Sequence, residues 1–461
     1  MLHRARSWWL DEAGGVGEPA PPLAGDAVAD VVVVGGGYTG MWAAWHLAAA
    51  GASVALVEKD LCGHGPSGRN GGFAEDLWLS LPALRSRFGD DGAIAVCRAA
   101  EESVRAIGAW CSEHGVDAWF AGGGQLVVST APAQDGVGEE AIRAAAELGV
   151  PDRVVALSPG EVAARCASPV FRGAVWMPAG CTVQPARLAL GLRARLIERG
   201  VRVYERTRVT RVLGGGGVET DAGRVRAGHV VLGAGGALAA FRPLRGRLTV
   251  ASSHIVLTEP IPDVIQGVGW TGGEAITDGR ALLHYFRTTR DGRIAFGWAG
   301  GRLAMGARLR GRVEVDAAVA AAAREHLVRM FPQLRGRAVT HAWGGPIDIA
   351  PSRMATIGSL PGGRVHFAYG YTGNGVGPSQ LAGRILASLA LERRDALTAL
   401  PIVDPAPDRA VPPEPLRYAG GSVVLAAMKR VEAAEERGER AGAAARFVAA
   451  LPRRLGITVG R

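Results

Sequence analysis

The residues best suited to bind phosphate are three glycines, Gly35, Gly37 and Gly40, which have the spacing GxGxxG. In such a motif the first glycine allows a tight turn, the second lets backbone approach a pyrophosphate, and the third lets a helix pack closely on a strand. The unpaired N–H groups and the dipole at the start of the following helix favour negative charge. The spacing therefore predicts a dinucleotide site, and we expect Tyr38 and Thr39 to contact the dinucleotide as well.

The segments around these glycines are typical of a βαβ unit. Residues 30–34 read as a buried strand, residues 41–50 as a helix and residues 53–57 as a second, parallel strand. Glu58 ends the second strand, where an acidic side chain accepts hydrogen bonds from ribose hydroxyl groups, and Lys59 follows it. This order predicts a dinucleotide-binding fold, but the motif alone does not distinguish FAD from NAD.

The composition is that of a folded chain with two or three domains. Of the 461 residues, 48% are apolar and 21% are charged, which is too apolar a balance for a disordered chain. The net charge of +9 could suit an anionic partner, but it comes from scattered arginines, because the only lysines are Lys59 and Lys429. The lack of a basic stripe with interleaved aromatic residues argues against nucleic-acid binding.

The sequence also suggests a location. The five cysteines are widely spaced and form no CxxC motif, which favours reduced thiols in the cytoplasm. Residues 1–10 lack the apolar run of a signal peptide. Residues 31–57 carry no charged side chain, but their β-branched runs and glycine cluster argue against a membrane-spanning helix. We therefore expect a cytoplasmic protein with no integral membrane span.

A long polar loop, residues 61–72, follows the βαβ unit where a nicotinamide-binding fold normally continues into another helix. Its sequence GPSGRNGG, together with GxGxxG and Glu58, resembles the D-amino-acid oxidase (DAO) superfamily of FAD enzymes. Pro66 stands where that family usually has alanine. The resemblance implies that the loop lies along the ribityl chain and pyrophosphate of FAD, with contacts from Ser67, Gly68, Arg69, Asn70, Gly71 and Gly72.

Two later segments resemble the same family. Residues 229–236 read as a strand that ends in a small-residue turn, which implies FAD contacts from Gly233, Ala234 and Gly235. Residues 368–377, before a helix predicted at 379–391, resemble the loop that meets the isoalloxazine ring. The implied contacts there are Gly373, Asn374, Gly375 and Val376, and Val209 is expected near the adenine.

The resemblance implies an α/β fold, with a Rossmann-like FAD-binding domain and an interleaved antiparallel-sheet substrate domain. We expect the FAD domain at residues 25–78, 150–240 and 341–400, and the substrate domain at 79–149 and 241–340. Residues 247–258 and 282–288 alternate with a period of two, which favours antiparallel strands.

Segments along nearly the whole chain resemble a subgroup of this superfamily, the aminophosphonate oxidoreductases, close to γ-glutamylputrescine oxidase. They are residues 6–10, 283–293, 343–348 and 413–418. The resemblance implies FAD-dependent oxidation of the C–N bond of a small amine, which could carry an anionic group. The electron acceptor is O2 or another compound. Two alternatives stay open: a tailoring flavoenzyme of specialised metabolism that oxidises or desaturates an amine, and a flavin subunit that passes electrons to a carrier.

Candidate substrate contacts come from the predicted antiparallel sheet and the late glycine loop. Relatives that oxidise α-amino acids hold the carboxylate with an arginine shortly after the tryptophan that aligns with Trp343, and Ile347 occupies that place. Arg287 could replace this clamp, although it could equally lie on a solvated strand face. The other catalytic candidates are Tyr285, His284 and Tyr371; His254 could also orient substrate, although a lone histidine on a strand is more often structural. No spacing typical of a metal site occurs.

Two departures from the family bear on the flavin. Sarcosine oxidase uses a lysine beside the flavin to activate O2, whereas this chain has no lysine between Lys59 and Lys429. An oxidase would therefore depend on an arginine, a histidine or the reduced flavin alone, and a dehydrogenase becomes more plausible. Arg69 stands where related dehydrogenases have the histidine that bonds the flavin, so we expect noncovalent FAD, with His64 the alternative point of attachment.

Residues 401–461 extend beyond the usual end of the superfamily. Residues 405–415 are proline-rich and read as a linker, and residues 423–448 have helical spacing, interrupted at Gly438 and Gly442. They could form a basic amphipathic helix for a membrane surface or a partner. We favour the alternative, a helical arm packed on the FAD domain of the same chain.

Overall fold

The computed structural model describes residues 7–15, 17–454 and 456–457. Residues 1–6 lie outside the described residues. They include most of the segment 1–10, in which we expect no signal peptide, and Arg6 of the segment 6–10. The helices of the described residues are α1 (Trp8–Glu12), α2 (Tyr38–Ala49), α3 (Leu81–Glu113), α4 (Glu139–Glu147), α5 (Pro159–Arg165), α6 (Pro185–Glu198), α7 (Pro262–Gly267), α8 (Ala317–Met330), α9 (Val376–Ala390), α10 (Leu416–Glu436), α11 (Ala443–Ala449) and α12 (Leu451–Arg454).

The strands are shorter, and most of them belong to two large sheets. They are β1 (Ala27–Val28), β2 (Val31–Val34), β3 (Val54–Val57), β4 (Phe73–Ala74), β5 (Gln125–Val128), β6 (Val155–Leu157), β7 (Ala174–Met177), β8 (Cys181–Thr182), β9 (Arg202–Tyr204), β10 (Val209–Val212), β11 (Val218–Thr220), β12 (Arg224–Arg226), β13 (His229–Leu232), β14 (Thr249–Thr258), β15 (Ala275–Asp278), β16 (His284–Thr288), β17 (Ile294–Trp298), β18 (Val339–Ile349), β19 (Thr356–Ser359) and β20 (Val365–Tyr369).

The first large sheet has six strands in the order β19-β20-β13-β2-β3-β9. All its neighbours are parallel except the edge pair β19 and β20. Its central strand β2 is a run of four valines that are buried or nearly so, as a parallel strand covered on both faces requires. Helices α2 and α9 pack against each other beside this sheet. The predicted α/β class and βαβ unit are confirmed, although α2 begins three residues earlier than predicted.

The second large sheet has eight strands in the order β18-β14-β17-β16-β15-β5-β7-β6. Its neighbours are antiparallel except for β15 and β5. One face packs on helix α8 through an aromatic cluster that includes Trp270, Phe286, Phe296 and Phe331. The other face is therefore left to cover the first sheet and its loops.

The two sheets do not follow the predicted domain boundaries everywhere. Strands β6 and β7 lie within the predicted FAD-domain segment 150–240, but they pair in the eight-stranded sheet. Helix α3 lies within the predicted substrate-domain segment 79–149, but it packs against α9. We propose that the division follows the sheets, so that α3 counts with the six-stranded sheet, and β6 and β7 count with the eight-stranded sheet.

The C-terminal extension corrects the expectation for its docking site. The described hydrogen bonds and ion pairs of helix α10 to other elements go to residues of the segment 241–340. The linker before it contacts the segment 341–400, where Asp404 Oδ1 accepts from the Ser359 N–H at 2.9 Å. Glu432 accepts a hydrogen bond from the Leu282 N–H at 2.8 Å, and Lys429 Nζ donates to the Gly301 carbonyl at 3.2 Å. Among the residues that the structure describes, no helix combines the length and apolarity needed to cross a bilayer. All five cysteines are free thiols.

A buried ion pair fixes the loop that leads from β3 into the polar loop. Arg193 on α6 donates through Nε and Nη2 to the two carboxylate oxygens of Glu205, each at 2.9 Å. Glu205 is fully buried and also accepts from the N–H groups of Ala20 and Cys62. The pair therefore ties a helix, the N-terminal segment and the start of the polar loop to one carboxylate.

We expect Arg193→Ala to lower the free energy of unfolding by about 3 kcal/mol, because removing one partner leaves a buried carboxylate without its countercharge. Chemical denaturation of the purified variant measures this change. The control is Arg195→Ala on the same helix, whose partner Glu198 is exposed, so its loss should cost about 0.5 kcal/mol. Equal losses in the two variants would contradict the role assigned to the pair.

Candidate active site

One large cavity, of about 1550 Å³, lies between the two sheets. The turn from β2 into α2, the end of β3, the polar loop, the end of β13 and the loop before α9 line one side. Strands β14, β16 and β18 of the eight-stranded sheet and helix α10 line the other side. The cavity therefore joins the predicted dinucleotide site to the sheet that is expected to hold substrate.

Glycines allow the backbone segments at the first side to meet. A Cβ atom on Gly40 would lie 2.0 Å from the Gly35 carbonyl oxygen, and a Cβ atom on Gly35 would lie 2.7 Å from the Gly233 carbonyl oxygen. A Cβ atom on Gly233 would lie 2.6 Å from the Gly40 nitrogen. These distances fit the tight turn and the close packing of helix on strand that the GxGxxG motif requires. They leave a cradle whose surface is backbone, as a pyrophosphate requires.

Two helices begin at this cradle with a glycine as N-cap residue, so that residue has no side chain to cap the helix. Helix α2 follows Gly37, and helix α9 follows Gly375. At the start of α2, the Tyr38 N–H donates to Ser67 Oγ at 2.9 Å, so the polar loop is attached to the helix terminus. The dipoles of both helices place partial positive charge at the cavity wall. This side of the cavity is suited to phosphate and to negative charge on a flavin ring.

Glu58 closes the cradle at the end of β3. Its carboxylate accepts from the N–H groups of Gly36 at 2.7 Å and Asp60 at 2.8 Å. Burial raises the pKa of Glu58, and these two hydrogen bonds oppose the rise. Each carboxylate oxygen keeps a further lone pair, so the side chain can still accept from ribose hydroxyl groups. The donors and acceptors of the cradle therefore fit a dinucleotide such as FAD.

The structure brings most of the predicted cofactor contacts to the cavity wall. They are Gly35, Gly37, Tyr38, Thr39, Glu58, Lys59, Ser67, Arg69, Asn70, Gly71, Val209, Gly233, Ala234, Gly235, Gly373, Asn374, Gly375 and Val376. Gly40, Gly68 and Gly72 do not line it. A Cβ atom on Gly68 would lie 2.3 Å from the Gly63 carbonyl oxygen, and one on Gly72 would lie 2.1 Å from the Val183 carbonyl oxygen. These glycines support the loops from behind.

Two tyrosines face the cavity from opposite sides. Ser253 Oγ donates to the Trp298 carbonyl at 2.9 Å, so the Tyr285 hydroxyl donates to Ser253 Oγ at 2.7 Å. Burial raises the pKa of Tyr285 to about 12, which keeps the phenol neutral. The Tyr371 hydroxyl lies 2.9 Å from Thr39 Oγ1. Both predicted tyrosines are therefore at the cavity wall with fixed hydroxyl groups.

Arg287 does not reach the cavity, which corrects the expectation that it clamps an anion there. Its Nη1 donates to the carbonyl oxygens of Val183 at 2.6 Å and Gly72 at 3.3 Å. Its guanidinium group also lies over the Trp9 ring, 5.7 Å from the centroid. The side chain is buried, so the alternative of a solvated strand face is also wrong. Arg287 supports the polar loop from behind.

His284 and His254 also lie away from the cavity. His284 is fully buried, with Nδ1 2.6 Å from Asp278 Oδ2 and Nε2 2.7 Å from His326 Nδ1. Because side chains alternate across a strand, His284 and Tyr285 project from opposite faces of β16. His254 is buried beside Gly344 of the neighbouring strand. The structural interpretation of both histidines is therefore favoured over a catalytic one.

Sequence reasoning assigned no role to several residues that the structure places at the cavity. Asp348 accepts from the Gly370 N–H at 2.6 Å, so it fixes the loop before α9; burial raises its pKa to about 6. Arg302 lines the substrate side and forms an ion pair with Asp316. Asp348 lies in the segment 343–348, which resembles the aminophosphonate oxidoreductase subgroup, whereas no local pattern marks Arg302 or the cavity residues of α10.

Arg69 and His64 both line the cavity. Arg69 Nε donates to the Gly344 carbonyl at 2.9 Å, and the Arg69 carbonyl accepts from Trp343 Nε1 at 2.8 Å. The polar loop is therefore bonded to β18 of the eight-stranded sheet. Ile347, at the place of the carboxylate-binding arginine of relatives that oxidise α-amino acids, also lines the cavity from β18.

Comparisons with known proteins agree with this geometry. The model of the family described as "DAO: FAD dependent oxidoreductase" matches residues 30–389. The chain is 30% identical over 381 residues to gamma-glutamylputrescine oxidoreductase of Escherichia coli (strain K12), covering 81% of this chain and 86% of the relative. It is 27% identical over 395 residues to the probable oxidoreductase OrdL of Rhizobium meliloti (strain 1021), covering 82% and 87%.

Solved structures show the same fold. Glycine oxidase from Geobacillus kaustophilus superposes with a TM-score of 0.66 at 21% identity, covering 82% of this chain and 98% of that chain. L-proline dehydrogenase from P. horikoshii superposes with a TM-score of 0.66 at 20% identity, covering 82% and 96%.

We expect Gly40→Ala to reduce the flavin content of the purified protein, because a Cβ atom there would collide with the Gly35 carbonyl. Forcing it in should cost about 1–3 kcal/mol. The matched control is Gly160→Ala, in helix α5 away from the cavity wall, where a Cβ atom would meet nothing within 4 Å. Visible absorbance relative to protein absorbance measures the content. Equal flavin content in both variants would contradict the role of the glycine contacts.

We expect Arg287→Met to lower the melting temperature and the flavin content, because two loop carbonyls lose their buried donor, at a cost of about 1–3 kcal/mol. The effect should not depend on whether a substrate is anionic. A normally stable holoprotein with a raised KM for anionic amines only would contradict this role and would indicate that Arg287 binds an anionic group of the substrate.

Proposed function

Because the chain belongs to the DAO family of FAD-dependent oxidoreductases, we propose that it oxidises the C–N bond of a small amine. The substrate is an aminophosphonate-like compound or another primary or secondary amine. The observation that carries this proposal is the single cavity in which the glycine cradle faces the sheet residues Ser253 and Tyr285. The two relatives compared by sequence support an oxidoreductase, and the name of one specifies an amine substrate.

The chain's own residues would hold FAD without a covalent bond. The cradle at Gly37 and the start of α2 suit the pyrophosphate, Glu58 suits the ribose, and the start of α9 suits the flavin ring. When bound, FAD would supply the oxidant, a hydride acceptor for the carbon that bears nitrogen, and hydrolysis of the imine product by water would give a carbonyl compound and an amine or ammonia. Acid precipitation should leave the flavin in solution; flavin in the pellet would instead point to attachment at His64.

The protein's contribution is to bind, to orient and to keep the amine neutral. The Tyr285 hydroxyl is held by Ser253, so its ring and oxygen have one position relative to the cavity. Burial in the cavity lowers the pKa of an amine, which favours the neutral form that can be oxidised. The start of α9 stabilises negative charge at the other side of the cavity.

The lack of an arginine at position 347 supports an amine rather than an ordinary α-amino acid. Ile347 presents an apolar side chain to the cavity, and a carboxylate opposite it would have no bidentate partner at that point.

The proposal is tested by adding amines to the oxidised holoprotein without oxygen. The panel is 2-aminoethylphosphonate, glycine, sarcosine, putrescine and hexylamine. We expect at least one non-α-amino-acid amine to bleach the visible flavin band, and the rate of recolouring in air then separates an oxidase from a dehydrogenase. A flavin that no amine bleaches would contradict the proposal and favour a tailoring or electron-transfer role.

We expect Tyr285→Phe to lower kcat/KM for the amine that bleaches the flavin by about tenfold, the equivalent of one hydrogen bond. Flavin content should not change. The control is Tyr369→Phe, since Tyr369 is buried in the six-stranded sheet away from the cavity wall. Unchanged kcat/KM in Tyr285→Phe would show that the hydroxyl does not position the substrate.

A further inference from the structure

Helix α10 forms part of the cavity wall although it lies beyond residue 389, where the match to the family model ends. Its cavity-lining residues are Leu416, Arg417, Gly420, Gly421, Val424, Leu425 and Met428. From Gly421 to Met428 they recur every three or four residues, so they form one stripe along the helix. The intervening Val423 is 60% exposed and points away from the cavity.

The stripe faces other apolar side chains. Leu282, Leu283 and Leu303 line the same cavity from the substrate side. The helix approaches this wall closely, because a Cβ atom on Gly421 would lie 2.4 Å from Leu303 Cδ1. The outer end of the cavity is thus enclosed by aliphatic side chains from α10 and from the loops of the eight-stranded sheet.

Buried and partly buried polar contacts hold α10 in this position. Arg280 Nη2 lies 2.8 Å from Glu436 Oε1, and Arg329 Nη2 lies 3.0 Å from the same oxygen. Glu432, 7% exposed, accepts from the Leu282 N–H at 2.8 Å. These contacts attach the helix to two elements of the substrate side, β15 with its following turn and α8. The stripe is therefore a fixed wall.

The charged residues nearby already have partners. Arg302 is paired with Asp316, and Arg417 donates to Glu414 Oε1 at 2.9 Å and to the Leu248 carbonyl at 3.1 Å. Among the described residues of α10 that line the cavity, none carries an acidic side chain. A second ammonium group on the substrate would therefore meet no countercharge on this wall.

We propose that α10 supplies a specificity subsite for an uncharged, extended alkyl or aryl substituent of the substrate amine. This inference rests on the proposed amine oxidation and names the class of substrate within it. The amine group lies toward Tyr285 and the glycine cradle, and the substituent extends along Val424, Leu425 and Met428. Because each buried methylene group is worth about fourfold in affinity, KM should fall as the chain lengthens until the subsite is filled.

The experiment compares linear primary amines from propylamine to octylamine, and putrescine, with the holoenzyme. The anaerobic rate of flavin reduction against amine concentration gives the catalytic efficiency for each compound. We expect efficiency to rise with chain length and hexylamine to exceed putrescine by at least about tenfold, since a terminal ammonium group would be desolvated without a partner.

Two adjacent valines provide a matched pair of variants. Val424→Phe should lower the catalytic efficiency for octylamine by about tenfold or more, because a hydrophobic pocket discriminates to that extent for small changes in size. The same variant should change the catalytic efficiency for propylamine by less than about twofold. Val423→Phe, on the exposed side of the same helix turn, should change neither. If Val424→Phe does not fold, Val424→Ala should instead shift the preferred chain length upward.

The outcomes separate the inference from the function on which it rests. Efficiency that does not depend on chain length, or equal effects of the two phenylalanine variants, would overturn the subsite while leaving amine oxidation intact. If no amine reduces the flavin, the proposed amine oxidation is wrong, and the binding of amines then tests the proposed subsite. In that case hexylamine should still perturb the flavin spectrum at a lower concentration than propylamine, and equal or absent perturbation would overturn the subsite as well.

Discussion

The close contact of three backbone segments at Gly35, Gly40 and Gly233 is the constraint on which the rest of the structure depends. Neighbouring parallel strands β2 and β13 end side by side, and α2 begins directly against both turns. Any side chain at these positions would occupy the space of a carbonyl or an amide group. Because no side chain intervenes, the start of α2 and its dipole meet the cavity directly, and a pyrophosphate can approach backbone N–H groups there.

The polar loop connects this arrangement of glycines to the second sheet. Ser67 accepts from the start of α2, Arg69 bonds to β18, and Arg287 of β16 donates to the carbonyl of Gly72. The loop is therefore held by both sheets at once. This explains why an arginine that looked like a substrate clamp is needed instead as a buried donor, since the carbonyls of a buried loop must find partners within the protein. It also leaves the cavity face of β16 to Tyr285.

Helix α10 completes the cavity from outside the region shared with the family. Its glycines let it approach Leu303, while Glu432 and Glu436 meet Arg280 and Arg329 on the substrate side. Arg280 and Glu432 are buried, and Glu436 and Arg329 are partly buried, so an unpaired charge at this interface would be costly. The interface thus favours one docked position, in which aliphatic side chains close the outer end of the cavity.

The amino-acid sequence by itself determined the βαβ unit and the antiparallel strands, because each depends on local spacing: glycines at fixed intervals, valine runs and period-two alternation. The assignment of FAD rather than NAD came from the resemblance of the polar loop to the DAO superfamily. Most of the residues predicted to contact the cofactor line the cavity, since they lie within continuous loops. Only the tertiary structure decided which face of β16 meets the cavity, where Arg287 and His284 project, and that α10 docks on the substrate side. Those outcomes depend on contacts between residues far apart in the chain, such as Arg287 with Val183 and Glu432 with Leu282, and no local pattern specifies them.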